Sequence, residues 1–222
     1  DVDECERRPE KAYLLNTKVV ENLSNWVEKN SPCYLLQIST DQVYDGKGPH
    51  NESAVMLKNY YAFSKYTGEL FALKALGGVL RTNFFGRSCV NGRHSFSDWI
   101  IDNLKSRKPI NVFENVFINP LLISTLCKMI ALMVENCQYG VFNLGSREGF
   151  SKADFAFKLA KEFGFDDSNM TRVKLNDTHL TAYRPKDMRT NSDNFEKFFN
   201  VALPKLSDEI ILLNKEYCES AK

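Results

Sequence analysis

No run of this 222-residue sequence approaches the roughly 20 apolar residues that would span a bilayer, and its 29 basic and 28 acidic side chains leave a net charge of +1. A membrane partner is therefore disfavoured, and so is nucleic acid, which calls for a basic excess. Cys5, Cys33, Cys89, Cys127, Cys137 and Cys218 form no Cys-x-x-Cys pair and share no regular spacing. That pattern speaks against a zinc site or a disulfide framework and for buried or incidental thiols of a reducing, cytoplasmic compartment. The three histidines, His50, His94 and His179, stand apart from one another, and the reading places them on the surface or in loops rather than on a metal. The length suffices for a core without disulfides. The chain opens Asp1-Val2-Asp3 with neither an initiator Met nor a signal peptide, as though cut from something longer.

What is present is a rhythm of helices and apolar strands. From Pro9, the residues Ala12, Leu15, Val19, Leu23, Trp26 and Val27 recur at helical spacing until Asn30-Ser31-Pro32. The run from Cys33 to Ser39 has the continuous apolar character of a strand buried on both faces of a parallel sheet. A loop with Asp45-Gly46 and Gly48-Pro49 follows. A second helix is predicted over about Asn59 to Ala75, with Phe63, Tyr66, Leu70 and Leu73 on one face, and Gly77-Gly78 leads into a strand from Val79 to Phe85. Helix, strand, helix, strand implies crossover connections and a doubly wound α/β fold with a parallel sheet.

Beyond Gly86 the pattern mixes. Helices are expected around Phe96 to Leu104, Leu122 to Met133 and after Ser151, where Asp154 completes a capping box, and strands over Ile110 to Phe117 and Val141 to Leu144. The expected division is residues 1–88 as the catalytic part of a Rossmann-like domain and residues 89–222 mainly as a smaller α+β lobe. About 121–145 would return to the first sheet.

One spacing carries chemistry. Tyr61 and Lys65 lie four apart, so both project from one face of the second helix. A lysine cation beside a phenol favours the phenolate and lowers its pKa, which suits proton exchange with an alcohol or ketone oxygen. The preceding strand ends in Ser39-Thr40-Asp41, and ligands of open α/β sheets gather at the carboxyl ends of strands. A hydroxyl there can bond the same substrate oxygen.

These pieces resemble the extended short-chain dehydrogenase/reductases, and within them the dTDP-4-dehydrorhamnose reductase branch. The likeness runs through Val2-Asp3-Glu4-Cys5-Glu6 with Pro9, Ala12 and Asn16, then Ile38 to Gly46, Asn59 to Lys65 with Gly68-Glu69, Leu80-Arg81-Thr82 with Gly86, Asn143-Leu144-Gly145, and Arg184-Pro185. It implies that Tyr61 protonates a sugar C4 carbonyl oxygen, that Thr40 binds that oxygen, and that Lys65 holds the nicotinamide ribose and depresses the Tyr61 pKa. Asn16, Ser39 and Tyr61 are implied on the cofactor side with Lys65. Asn16 reads equally as a helix residue bonded to the backbone, and a serine at a strand end can satisfy local backbone groups. Asp41, Phe84 and Arg184 are implied on the substrate side, Arg184 for the pyrophosphate; Phe84 is also a possible core residue, and Arg184 an exposed arginine beside a loop proline. The related dehydratases place Asp-Glu after Ser-Thr, whereas here Gln42 cannot accept a proton, which disfavours dehydration.

The resemblance thus implies an NADPH- or NADH-dependent reductase of a nucleotide-activated 4-keto-6-deoxy sugar, NADPH being favoured, in deoxysugar and polysaccharide biosynthesis. It carries no metal, and a homodimer is a family expectation. A sugar-nucleotide epimerase is one alternative. A non-catalytic subunit, similar to the regulatory subunit of methionine adenosyltransferase, is another. The sequence departs from the family in having no Gly-x-Gly-x-x-Gly turn after a strand. The family carries that turn upstream of the Val2-Asp3 match, so roughly 70 residues at ~30 per βα unit are expected before Asp1. On this reading Leu35, Leu36, Val79 and Leu80 would lack neighbours in the chain as written.

Overall fold

A computed structural model describes residues 1–30, 33–90, 92, 94–177 and 180–219. From the N-terminus, α1 (Val2–Arg7) and α2 (Pro9–Tyr13) pass through a single π-helical turn (Leu14–Lys18) into α3 (Val19–Lys29). Strand β1 (Leu36–Thr40), a short 3-10 turn (Asp41–Val43), α4 (Tyr60–Lys74), β2 (Gly78–Thr82) and the two-residue β3 (Phe84–Phe85) follow. Next come α5 (Phe96–Lys105), β4 (Ile110–Phe113), β5 (Phe117–Ile118), β6 (Leu121–Leu122), α6 (Ile123–Glu135), β7 (Gly140–Leu144) and β8 (Phe150–Ser151). The chain ends with α7 (Lys152–Glu162), β9 (Met170–Val173), α8 (Asp193–Phe199) and α9 (Leu206–Glu219).

Strands β1, β2 and β7 form a parallel sheet in that order, with Ser39 opposite Arg81 and Thr40 opposite Thr82. Alternating side chains send Val79 toward Val20 and Ala72 of α3 and α4, while Leu80 and Phe142 pack on Leu126, Met133 and Phe195 of α6 and α8. Helices therefore cover both faces, which is the doubly wound arrangement the βα rhythm implies. Val79 and Leu80 do not lack neighbours: β2 is the central strand and both are fully buried between β1 and β7. Strand β1 is an edge, so Leu36 to Ile38 are half-buried rather than enclosed on both faces.

A second core joins Phe85, Ile100, Ile101, Ile110, Val112, Phe155, Leu159, Leu206, Ile210 and Leu213, drawing on α5, α7, α9 and the parallel β4/β9 pair. The expected strand over Ile110 to Phe117 is broken into β4 and β5, and β5 pairs antiparallel with β8.

Of its expected apolar stripe, the first helical segment buries only Ala12 and Val27. Leu15, Val19, Leu23 and Trp26 face outward, Leu15 61% and Trp26 55% exposed, while Ala12, Thr17, Val20, Ser24 and Val27 are buried. The physical reason is the partner helix. Thr17 and Ser24 donate to the α4 carbonyls of Ser64 and Phe71 at 2.8 and 2.7 Å, and a Cβ on Gly68 would overlap the Asn16 carbonyl oxygen. Close approach favours small polar side chains over large apolar ones. On α4 itself, Phe63 and Leu70 of the expected apolar face are likewise exposed.

Candidate active site

The end of β1 and the start of α4 are tied together by side chains. Thr40 is extended, and its Oγ1 accepts the Gln42 N–H at 3.2 Å, opening the 3-10 turn. Asn59 caps α4 by accepting the Ala62 N–H at 2.8 Å and donates to Gln42 Oε1 at 3.1 Å and the Tyr183 carbonyl at 3.0 Å. With both ends pinned, Tyr61, in the first turn of α4, lies close enough to Thr40 for that side chain to act on its phenol. One helical turn on, Lys65 Nζ donates to the Ile38 carbonyl at 2.6 Å.

Burial governs the electrostatics. The Tyr61 phenol lies above the ordinary tyrosine value because burial outweighs the lowering by the Thr40 side chain, and the charges of Asp41 and Cys5 raise it further. The lowering by Lys65 that the helical spacing implies is not what the structure shows. The Lys65 ammonium is turned to the Ile38 carbonyl, and burial holds its own pKa down against the pull of Glu69. Asp41 is buried and pushed up to about 6, chiefly by desolvation; the Asn83 hydrogen bond and the Lys152 charge oppose the rise. Asn83 Nδ2 donates to Asp41 Oδ2 at 2.7 Å and Thr40 Oγ1 to Asp41 Oδ1 at 3.3 Å.

The structure thus brings Thr40, Asp41, Tyr61 and Lys65 together and adds Asn83, which the sequence reading missed; the Lys152 charge also acts on Asp41. Only one signal for Lys152 was present: a cation in the first turn of a helix, against the dipole. The remaining candidates are engaged elsewhere. Asn16 Nδ2 donates to Ser64 Oγ at 3.0 Å, joining the π turn to α4. Ser39 donates to Glu69, whose carboxylate is clamped by Arg81 with Nη2 at 2.6 Å, so its hydroxyl serves a buried ion pair under α4. Phe84 is 54% exposed and is not core; Phe85 is the buried member of β3. Arg184 pairs with Asp3 at 2.8 Å, so its guanidinium already has a carboxylate partner.

His50 lies in the loop between β1 and α4, within the expectation, but it is buried. It is 6% exposed, stacked on Tyr44 at 5.2 Å, with Nε2 2.8 Å from the Asp187 carbonyl. His94 is exposed beside Asp102, and His179 lies outside the described residues. All six cysteines are free, five of them exposed rather than buried. Among the described residues, no helix is long and apolar enough to cross a membrane, and no group of three His, Cys, Asp or Glu side chains converges on a common point.

The family described as the RmlD substrate binding domain matches residues 1–218. The chain belongs to that family. It is similar to dTDP-4-dehydrorhamnose reductase of Escherichia coli, 27% identical over 224 residues, an alignment covering 92% of this chain and 72% of the relative. It is also similar to the probable low-salt glycan biosynthesis reductase Agl14 of Haloferax volcanii, 23% identical, covering 99% of this chain and 75% of the other. Among solved structures, dTDP-4-dehydrorhamnose reductase of Bacillus anthracis in complex with NADP superposes with a TM-score of 0.88 at 24% identity, over 97% of this chain and 77% of that one. The Rossmann-like fold of this RmlD-family chain is that of the superposed structure.

Proposed function

We propose that the chain forms the catalytic part of an NADPH-dependent reductase of a nucleotide-activated 4-keto-6-deoxy sugar, in glycan biosynthesis. The observation that carries this reading is that the carboxyl end of β1 at Thr40 is held against the first turn of α4, which bears Tyr61, with Lys65 one turn along the same helix and bonded to Ile38 of β1. The RmlD-family match and the names of the similar reductases support it.

The residues fit the nicotinamide ribose end of such a cofactor. Lys65 spends one of its three protons on the Ile38 carbonyl, leaving two donors for ribose hydroxyls. When bound, the cofactor supplies a hydride to the carbonyl carbon. Thr40 holds the carbonyl oxygen, and Tyr61 gives it a proton. A phenol kept protonated by burial is in the right state to act as the acid. The phenolate left behind is the costly species, and the Lys65 ammonium must turn from the Ile38 carbonyl toward it to offset that cost. Gln42, fixed to Asn59, provides no second acid or base next to Asp41, in keeping with reduction rather than dehydration.

We assign residues 1–88 to the cofactor side and 89–222 mainly to the substrate lobe, with 121–145 returning to the sheet; the pairing of β7 with β2 and the separate core around Phe155 support this division. The free thiols are in keeping with a reducing cytoplasm. The outward apolar stripe of α3, continued by Phe63 and Leu70 of α4, supports a homodimer.

Tyr61→Phe is expected to lower turnover of dTDP-4-dehydrorhamnose by about 10²–10⁴-fold, followed by NADPH absorbance, with cofactor affinity unchanged. Stoichiometric loss of NADPH with substrate distinguishes reduction from epimerisation. An unimpaired Tyr61→Phe enzyme, or no turnover by the unmodified protein, refutes the proposal.

A further inference from the structure

Tyr61, Lys65 and Glu69 stand four apart along α4 and so share one face of it. The first two carry the proposed chemistry, whereas Glu69 has no part in it. Its carboxylate is clamped by Arg81 of β2: Nε donates to both oxygens at 3.1 and 3.0 Å, and Nη2 donates to Oε2 at 2.6 Å. From β1, Ser39 donates its hydroxyl to Oε1. The other arm of the guanidinium, Nη1, donates to the Tyr44 hydroxyl at 2.8 Å and to the Glu52 carbonyl at 2.6 Å, both in the loop from β1 to α4. One carboxylate thus joins α4 to two neighbouring strands, and its partner ties in the loop between Thr40 and Asn59.

Stability does not explain the pair. Arg81 follows Val79 by two on β2 and so faces α4 as Val79 does, and Val79 packs on Ala72 of that helix as apolar core. Glu69 and Arg81 are only 1% and 3% exposed. An ion pair so far from water gains little over apolar side chains of similar volume, because desolvation offsets most of the attraction. What a carboxylate in a guanidinium fork adds is a fixed distance and direction. Asn59 pins the start of α4 to Gln42 and Tyr183, and Glu69 pins it to the sheet about 15 Å further along the axis. Tyr61 and Lys65 lie between the two pins. Thr17 and Ser24 bond α4 to α3, which sets the spacing of the helices rather than the height of α4 over the strands. Successive residues of β1 meet the same face of α4: Ile38 accepts from Lys65, Ser39 donates to Glu69, and Thr40 ends the strand beside Tyr61. The Glu69 charge also opposes the burial that disfavours the Lys65 ammonium.

We infer that Glu69 and Arg81 are positioning residues for the reduction: their ion pair, with Ser39, fixes the roll and height of α4 over β1 and β2 and so aims Tyr61 and Lys65. This rests on the reductase reading above and deepens it. Both residues are buried, so they act through Tyr61 and Lys65 rather than on the substrate.

The test compares Glu69→Gln, Arg81→Lys, and Glu69→Leu combined with Arg81→Met against the unmodified protein. Thermal melts, calorimetric binding of NADPH and steady-state kinetics with dTDP-4-dehydrorhamnose are measured on each. Glu69→Gln leaves the Arg81 charge uncompensated in the interior, and its melting temperature is expected to fall steeply. The double apolar variant is expected to melt near the unmodified protein yet lose about 10- to 100-fold in kcat, with KM within about threefold. Its NADPH affinity is expected to fall about 3- to 10-fold as Lys65 loses its aim. Arg81→Lys keeps the charge without the fork and is expected to lose about 3- to 10-fold in kcat. A merely structural pair predicts activity that follows stability instead. If the double variant fails to fold by circular dichroism, Arg81→Lys carries the comparison. Unmodified kcat in the folded variant, or a loss of kcat only in step with melting temperature, overturns this inference alone. An unmodified protein that does not turn over the nucleotide sugar overturns the reductase reading and this inference with it.

Discussion

Asp41 is held ionised at neutral pH against its surroundings. Its folded pKa of about 6 stands above the ordinary 3.8, so the folded protein keeps a proton on this group where the unfolded chain has released it. The stability it contributes is therefore fully present below about pH 4 and lost as pH rises through 6. Asparagine can preserve the geometry, with Oδ1 accepting from Asn83 and Nδ2 donating to Thr40 Oγ1. Asp41→Asn is thus expected to be more stable than the unmodified protein at pH 8, by about 1–3 kcal/mol, with the gap closing toward pH 4, while turnover falls. Thermal melts across that pH range check it, and a gap that widens on acidification contradicts it. Tyr61 and Lys65 were legible in the sequence because helical periodicity alone fixes a shared face. The Asp41 pKa and the effect of the Lys152 charge on it were not, since each depends on a lobe that folds back from far along the chain.

Helix α4 was legible almost to the residue, because Asn59, Gly77 and Gly78 punctuate it locally, whereas the strand before it begins at Leu36 rather than Cys33. The seam between α3 and α4 was not. Hydrophobic periodicity assigns the buried face to Ala12, Leu15, Val19, Leu23, Trp26 and Val27, yet only Ala12 and Val27 are buried and the seam is bonded by Asn16, Thr17 and Ser24 to Ser64 and the backbone of α4. A periodic pattern reports that an apolar face exists, not which neighbour covers it. Gly68 sets the spacing of this seam, and its substitution tests the argument by sign. In an ordinary helix Gly→Ala stabilises by up to about 1 kcal/mol. Here the new Cβ meets the Asn16 carbonyl oxygen, so Gly68→Ala is expected to destabilise by about 1–3 kcal/mol in urea titrations and to lower kcat by shifting Tyr61 relative to Thr40. A stabilised Gly68→Ala would mean that the two helices are free to separate.

For the whole molecule, the same displacement leaves a surface that solvent does not favour. Leu15, Val19, Leu23 and Trp26 lie along α3 and the turn before it, and Tyr13, Tyr60 and Phe63 line a neighbouring groove of about 280 Å³ where α2 meets the start of α4. Contiguous apolar surface of this kind marks an interaction site more often than chance exposure does. Two copies related by a two-fold axis can set the stripe against itself, since an isologous interface needs only one self-complementary patch. Because α4 carries Tyr61 and Lys65, such a dimer would stiffen the helix that positions the acid. Sedimentation equilibrium is expected to give twice the chain mass at micromolar concentration, and Leu23→Glu combined with Trp26→Glu to shift the protein to monomer with its circular dichroism spectrum intact. A concentration-independent monomer for the unmodified chain would remove the second copy as the occupant of this face.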